Sequence, residues 1–151
     1  MNILLVEDRG VVTYYLREAL EEAGHIVFSA PNILRAKYYW DQGGINCIIV
    51  DLNMDPEGLS DQERGETKGG LFTGWVWLRN HVLAKDASMK GRAIILTAYL
   101  DQLKEKLRSD QAEKLFSGLT FVRKRQVQYP ETGAIVELVS AIAKECEKGE
   151  Q

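Results

Sequence analysis

Soft and imidazole ligands are nearly missing from this sequence, which has two cysteines and two histidines. Cys47 and Cys146 lie far apart without metal-ligand spacing, so they read as two reduced core thiols. His25 and His81 are isolated, and neither is assigned a metal. No apolar run approaches the length of a membrane span. The start runs directly into a strand, without the basic segment and apolar core of a signal peptide, so a cytoplasmic protein is expected. Basic residues are not in excess: 19 Lys and Arg face 22 Asp and Glu, for a net charge of −3. That balance argues against a nucleic-acid surface as the main business of the chain. Internal repeats are also missing. What remains is ordinary globular composition, 45% hydrophobic and 27% charged over 151 residues, enough for one domain with a sizeable core.

The stretch Ile48-Ile49-Val50-Asp51-Leu52-Asn53-Met54 organises the rest. Its β-branched run reads as a strand buried on both faces, ending abruptly on a carboxylate. Asn2–Val6 is a similar strand running into Glu7-Asp8. Ala93–Leu96 runs into Thr97, and Leu119–Val122 is followed by Arg123 and Lys124. A short strand over Ile26–Ala30 completes five. Between them, Val12, Leu16, Ala19, Leu20 and Ala23 recur at helical spacing before Gly24, and Pro31-Asn32 opens a helix over about 33–41, closed by Gly43-Gly44. A third helix begins near Gly74 with Trp75, Leu78, Val82 and Leu83 as its stripe, which leaves Trp77 outside it. A helix over about 100–116 and a last one using Ile135, Leu138, Val139, Ile142 and Cys146 follow. This alternation predicts an α/β fold, a parallel sheet covered on both sides. Ligands of such sheets bind beyond the carboxyl ends of the strands, where Glu7, Asp8, Asp51, Thr97 and Lys124 would converge.

One segment breaks the rhythm. Residues from about 55 to 72 are acidic and glycine-rich, and far longer than an ordinary strand-to-helix loop. Leu59 is the single large apolar anchor within 55–70. The reading is a mobile insertion dispensable for folding, placed where it could act as a lid or docking loop beside Asp51. Tyr38-Tyr39-Trp40 cannot all point inward and leave some aromatic surface on the second helix. The domain is expected over 1–148, with a short tail at 149–151.

The residue types already suggest a chemistry. Three carboxylates crowded together raise one another's pKa unless a cation compensates, and Mg²⁺ suits such a hard oxygen site. An ionised Asp51 could then act as a nucleophile on a phosphoryl group. Each feature also has an ordinary explanation, since acidic turns and threonines cap helices and lysines decorate surfaces.

Taken in order, Leu4-Leu5-Val6-Glu7-Asp8, Ile49-Val50-Asp51-Leu52-Asn53-Met54, Ile95-Leu96-Thr97-Ala98 and Phe121-Val122-Arg123-Lys124 resemble a response-regulator receiver domain. The resemblance covers nearly the whole chain and implies a flavodoxin-like sheet of order 2-1-3-4-5. It implies Asp51 as phosphoacceptor, with Thr97 and Lys124 on the phosphoryl oxygens. Asp8 would be the more direct Mg²⁺ ligand, Glu7 its helper, and the Asn53 backbone carbonyl a further ligand. The implied partner is a histidine kinase or histidine phosphotransfer protein. With no output domain after the last helix, output is expected through a protein contact in trans, without nucleic acid or membrane. The chain departs from the family where Arg125 replaces the usual proline after the lysine. Phe121 stands at the switch aromatic and has no hydroxyl, and Tyr99 lies at the edge of the family's output face. A receiver-like scaffold without a phosphorylation cycle is the alternative. A Mg²⁺-dependent phosphohydrolase of haloacid-dehalogenase type is disfavoured, because Asn53 stands where its general-acid aspartate belongs. A flavin site lacks a phosphate-binding loop after the first strand.

Overall fold

A computed structural model describes residues 1–98, 101, 116–124 and 132–149. Five parallel strands form one sheet: β1 (Asn2–Val6), β2 (Ile26–Ala30), β3 (Cys47–Asp51), β4 (Ala93–Thr97) and β5 (Thr120–Arg123), in the order β2-β1-β3-β4-β5. The expected order is the observed one. β3 and β4 are buried at every position and β1 at all but the first, as strands covered on both faces must be.

The period-two alternation of these strands sorts their side chains into two cores. Ile3, Leu5, Cys47, Ile49, Ile94 and Leu96 face α1 (Gly10–Glu22) and the last helix, α5 (Thr132–Gly149), through Val12, Leu16, Leu20, Ile135 and Val139. Leu4, Val6, Ile48, Val50 and Ile95 face α2 (Ile33–Gln42) and α4 (Thr73–Trp77). Asn32 caps α2 by accepting the Arg35 backbone N–H at 2.8 Å, and Gly43, at φ 78°, ends it. Most of the helix expected over 100–116 lies outside the described residues, as does Tyr99.

The insertion is built, not open. Ser60 and Glu63 form a reciprocal capping box that starts a short helix, α3 (Asp61–Glu66). Leu59 is buried in the α2/α4 core, and Thr67 is fully enclosed. Thr67 Oγ1 accepts the Gly70 backbone N–H, and the Met54 N–H donates to the Gly70 carbonyl at 3.2 Å, joining the two ends of the segment. The sequence reading missed this because it weighed glycine and charge content over the Ser60-x-x-Glu63 signature.

A second correction concerns Trp77, which is fully buried beside Leu78. A single stripe cannot describe this helix, since residues 73–78 are all buried. Its continuation, Leu78–Leu83, is a π-helical turn. On α2 the aromatics divide as expected, with Tyr38 exposed and Tyr39 and Trp40 packed partly against the core. A 3-10 turn over Ala87–Arg92, capped by Asp86, leads into β4.

Candidate functional site

The carboxyl ends of β1, β3, β4 and β5 bring the sequence-singled residues together. Glu7 and Asp51 are buried, and Asp8 is exposed at the rim. One oxygen from each of these three carboxylates can lie within 4.8 Å of the others. Thr97 is fully buried at the end of β4, and its carbonyl accepts the Lys124 backbone N–H at 2.8 Å, tying the ends of β4 and β5 together. Asn53 is exposed just beyond β3, and its backbone N–H approaches Asp51 Oδ1 at 3.4 Å.

Lys124 is the surprise in this set. A lysine at a strand's end reads as a surface cation, yet only 7% of it is exposed. Its ammonium donates to Glu7 Oε2 at 2.7 Å and to Asp51 Oδ2 at 3.2 Å. The Arg9 backbone N–H donates to the other Glu7 oxygen at 3.0 Å. One cation therefore serves two buried carboxylates.

That single cation does not balance the site. Burial, followed by the nearby Asp51 charge, pushes Glu7 up to about 7 despite Lys124 and the Arg9 N–H. Burial also raises Asp51, with Asp8 adding to the effect, against Lys124 and the Asn53 N–H. Carboxylates crowded this way favour a second cation. The ligands on offer are hard oxygens with an open approach at Asp8, which fits Mg²⁺ better than a softer metal.

Thr73 and Gly74, to which the sequence reading gave no role at the site, hold the residues that follow the acceptor strand. Thr73 Oγ1 donates to the Met54 carbonyl at 2.7 Å, and the Gly74 backbone N–H donates to the Leu52 carbonyl at 3.1 Å. Trp75 packs on Phe116 with ring centroids 4.6 Å apart, and Phe116 packs on Phe121 at 5.7 Å. A glycine inside an apolar helical start was the available signal for a close backbone approach.

No protein-family model matches the chain. A stretch of 61 residues, 40% of the chain, is 36% identical to the transcriptional regulatory protein PhoP of Escherichia coli K12. The virulence transcriptional regulatory protein PhoP of Salmonella typhimurium LT2 matches over the same extent. The match spans only 27% of the length of these curated relatives. Solved structures align over far more. The receiver domain of the Francisella response regulator 1452 superposes with a TM-score of 0.66 at 18% identity, covering 96% of this chain and 98% of that one. The Thermotoga maritima response regulator TrrA, in complex with Mg²⁺ and BeF, gives 0.59 at 24% identity, covering 93% and 97%. The Vibrio cholerae chemotaxis protein CheY4 gives 0.57 at 19% identity, with the same coverage. The chain thus has the fold of response-regulator receiver domains, and a part of its sequence is similar to the PhoP regulators.

Proposed function

We propose that this chain is a phosphorylatable signalling switch in which Asp51 accepts a phosphoryl group. The observation that carries the reading is the buried meeting of Asp51, Glu7 and Lys124 beside the exposed Asp8, at one sheet edge. In the transfer, a carboxylate oxygen of Asp51 forms the new O–P bond. The donor's bond to phosphorus breaks, and its electron pair leaves with the donor group, which takes up a proton. Catalysis of such a step is mostly positioning and charge stabilisation.

Each side chain then has a role. Asp51 is the nucleophile; its ion pair with Lys124 favours the ionised form against burial, and a bound metal would favour it further. A lysine carries three N–H donors, of which Glu7 and Asp51 engage two. The third can meet a phosphoryl oxygen as a charge-assisted hydrogen bond. Thr97, at the adjoining strand end, is assigned a second phosphoryl oxygen. Glu7, Asp8, Asp51 and the Asn53 backbone carbonyl are assigned to Mg²⁺. When bound, the metal neutralises the crowded carboxylates and the charge of the phosphoryl oxygens.

The donor is assigned as a histidine kinase or histidine phosphotransfer protein, and the output as a protein contact in trans, in the cytoplasm. Its catalysis would be confined to its own phosphorylation and dephosphorylation. The single-domain reading over 1–148 accompanies this assignment. Among the described residues no helix is long and apolar enough to cross a membrane.

Intact-mass measurement after incubation with acetyl phosphate and Mg²⁺ tests the reading. The native chain gains one phosphoryl mass; Asp51→Asn gains none, and neither does the native chain in chelator. Equal labelling of Asp51→Asn would overturn the assignment. An unlabelled native chain would favour a scaffold that binds partners without a phosphorylation cycle. Turnover of a phosphate ester would favour the phosphohydrolase.

A further inference from the structure

Gly74 occupies a place that a side chain would disrupt, and its own backbone conformation is not the reason. It lies in the first turn of α4 and does not adopt a positive φ. Glycine is the poorest helix former after proline, so helix formation alone would favour another residue. A Cβ at position 74 would fall well inside contact distance of the Asp51 carbonyl oxygen. It would also lie 2.9 Å from Val50 Cγ2 and 3.0 Å from the Asp51 carbonyl carbon. These are backbone atoms and a buried branched side chain, none of which yields as a flexible chain end does. Gly10, Gly65, Gly91, Gly133 and Gly149, by contrast, have nothing within 4 Å of the same point.

The same helical turn holds the residues that follow Asp51. The Gly74 N–H donates to the Leu52 carbonyl, and Thr73 Oγ1 donates to the Met54 carbonyl. From the other side, the Leu52 N–H donates to the Leu96 carbonyl of β4 at 2.9 Å. The end of β3 is therefore clamped between β4 and the start of α4. The helix cannot back away easily, because every residue from Thr73 to Leu78 is buried and close-packed interiors transmit displacement.

We infer that Thr73 and Gly74 are positioning residues for the Asp51 carboxylate, Gly74 through close approach and Thr73 through its hydrogen bond. The inference rests on the function proposed above. A methyl group at position 74 pushes the Asp51 peptide and carries the carboxylate away from its 3.2 Å contact with Lys124. A misplacement of about 1 Å lowers a positioned reaction by about 100-fold.

The test compares Gly74→Ala, Thr73→Ala and Thr73→Ser with the native chain and with Gly65→Ala as control. Each is labelled by acetyl phosphate and Mg²⁺ below its own melting temperature, and maximal rate and donor half-saturation are read separately. Gly74→Ala lowers the maximal rate by about 10- to 100-fold at unchanged half-saturation. Thr73→Ala is slower than native, Thr73→Ser restores the rate, and Gly65→Ala labels as the native chain does. A residue that only supports the fold would lower the melting temperature and leave the maximal rate of the folded chain unchanged. That result for Gly74→Ala overturns the inference. If Gly74→Ala does not fold, the Thr73 pair decides, and equal rates for Thr73→Ala and Thr73→Ser overturn it. A native chain that takes no phosphoryl group overturns the proposed function itself. A native chain that labels alongside variants at the native rate overturns the positioning roles alone.

Discussion

Two carboxylate clusters flank the acceptor strand and the helix after it, and they are built to opposite ends. Around Glu7 and Asp51 burial prevails, and both carboxyls are raised. Around Glu63 burial is outweighed. Hydrogen bonds from Asn80, the Ser60 backbone and His81 hold its carboxyl at about 2. Three separate donors satisfy Glu63, while Lys124 is divided between Glu7 and Asp51. The first cluster keeps an appetite for a cation; the second is a finished clasp. Buried charge that is left under-compensated is a mark of function, whereas the same residue type with its donors supplied is architecture.

Removing Lys124 breaks the contrast most severely. Lys124→Ala leaves two buried carboxylates without their cation, and a loss of about 3–5 kcal/mol is expected in metal-free buffer. Chemical denaturation with and without Mg²⁺ measures it, and adding Glu7→Gln recovers part of the loss. Lys124→Ala also slows phosphoryl transfer from acetyl phosphate. An unchanged rate would move the charge-stabilising role to Arg123 or Arg125. Next in size is the insertion. Replacing residues 55–69 with a short linker exposes the Leu59 site, costing about 2 kcal/mol from apolar burial alone, and removes the Glu63 clasp as well. A melting temperature equal to the native one would restore the original expectation of a dispensable loop. Labelling by the small donor persists in this variant.

The pH response of Glu63 is smaller and has a definite sign. Its folded value of about 2 lies below the ordinary 4.5, so the unfolded chain takes up the proton first as pH falls. Its contribution is complete above about pH 4.5 and drains away toward pH 2. Urea titrations at pH 5 and pH 3 should show the native chain losing on the order of 2 kcal/mol more than Glu63→Gln. The smallest effect is Gly65→Ala. Position 65 lies in α3 with open space around it, so stability rises by at most about 1 kcal/mol with labelling unchanged.

The legible part of this molecule was whatever repeats at short period. The bounds of β1 and β2 were read to the residue, because β-branched runs stop against polar or turn-forming neighbours. The meeting of Glu7, Asp8, Asp51, Thr97 and Lys124 followed from their common place after parallel strands. The depth of Lys124 was not legible, since burial of a lysine depends on carboxylates distant in sequence. Trp77 was misplaced because a stripe presupposes one buried face, and α4 is buried all round. The insertion's fold hung on one capping pair among many glycines, a local signal that composition hid.

The π-helical turn at Leu78–Leu83 has a consequence for how this chain tolerates changes in length. Leu78 and Val82 are both buried, while the three residues between them reach the insertion: Arg79 pairs with Glu66, and Asn80 and His81 both hold Glu63. A π turn accommodates an extra residue per turn. Deleting one residue there would restore α-helical spacing without re-phasing the helix on either side, because the wide turn absorbs the extra residue locally. The loss would fall on the turn itself, where two residues instead of three would stand between the buried positions and could not supply all the partners of Glu63 and Glu66. The wide turn thus seats the insertion while leaving the core register as it is, and a single-codon deletion in it would loosen the insertion before the core.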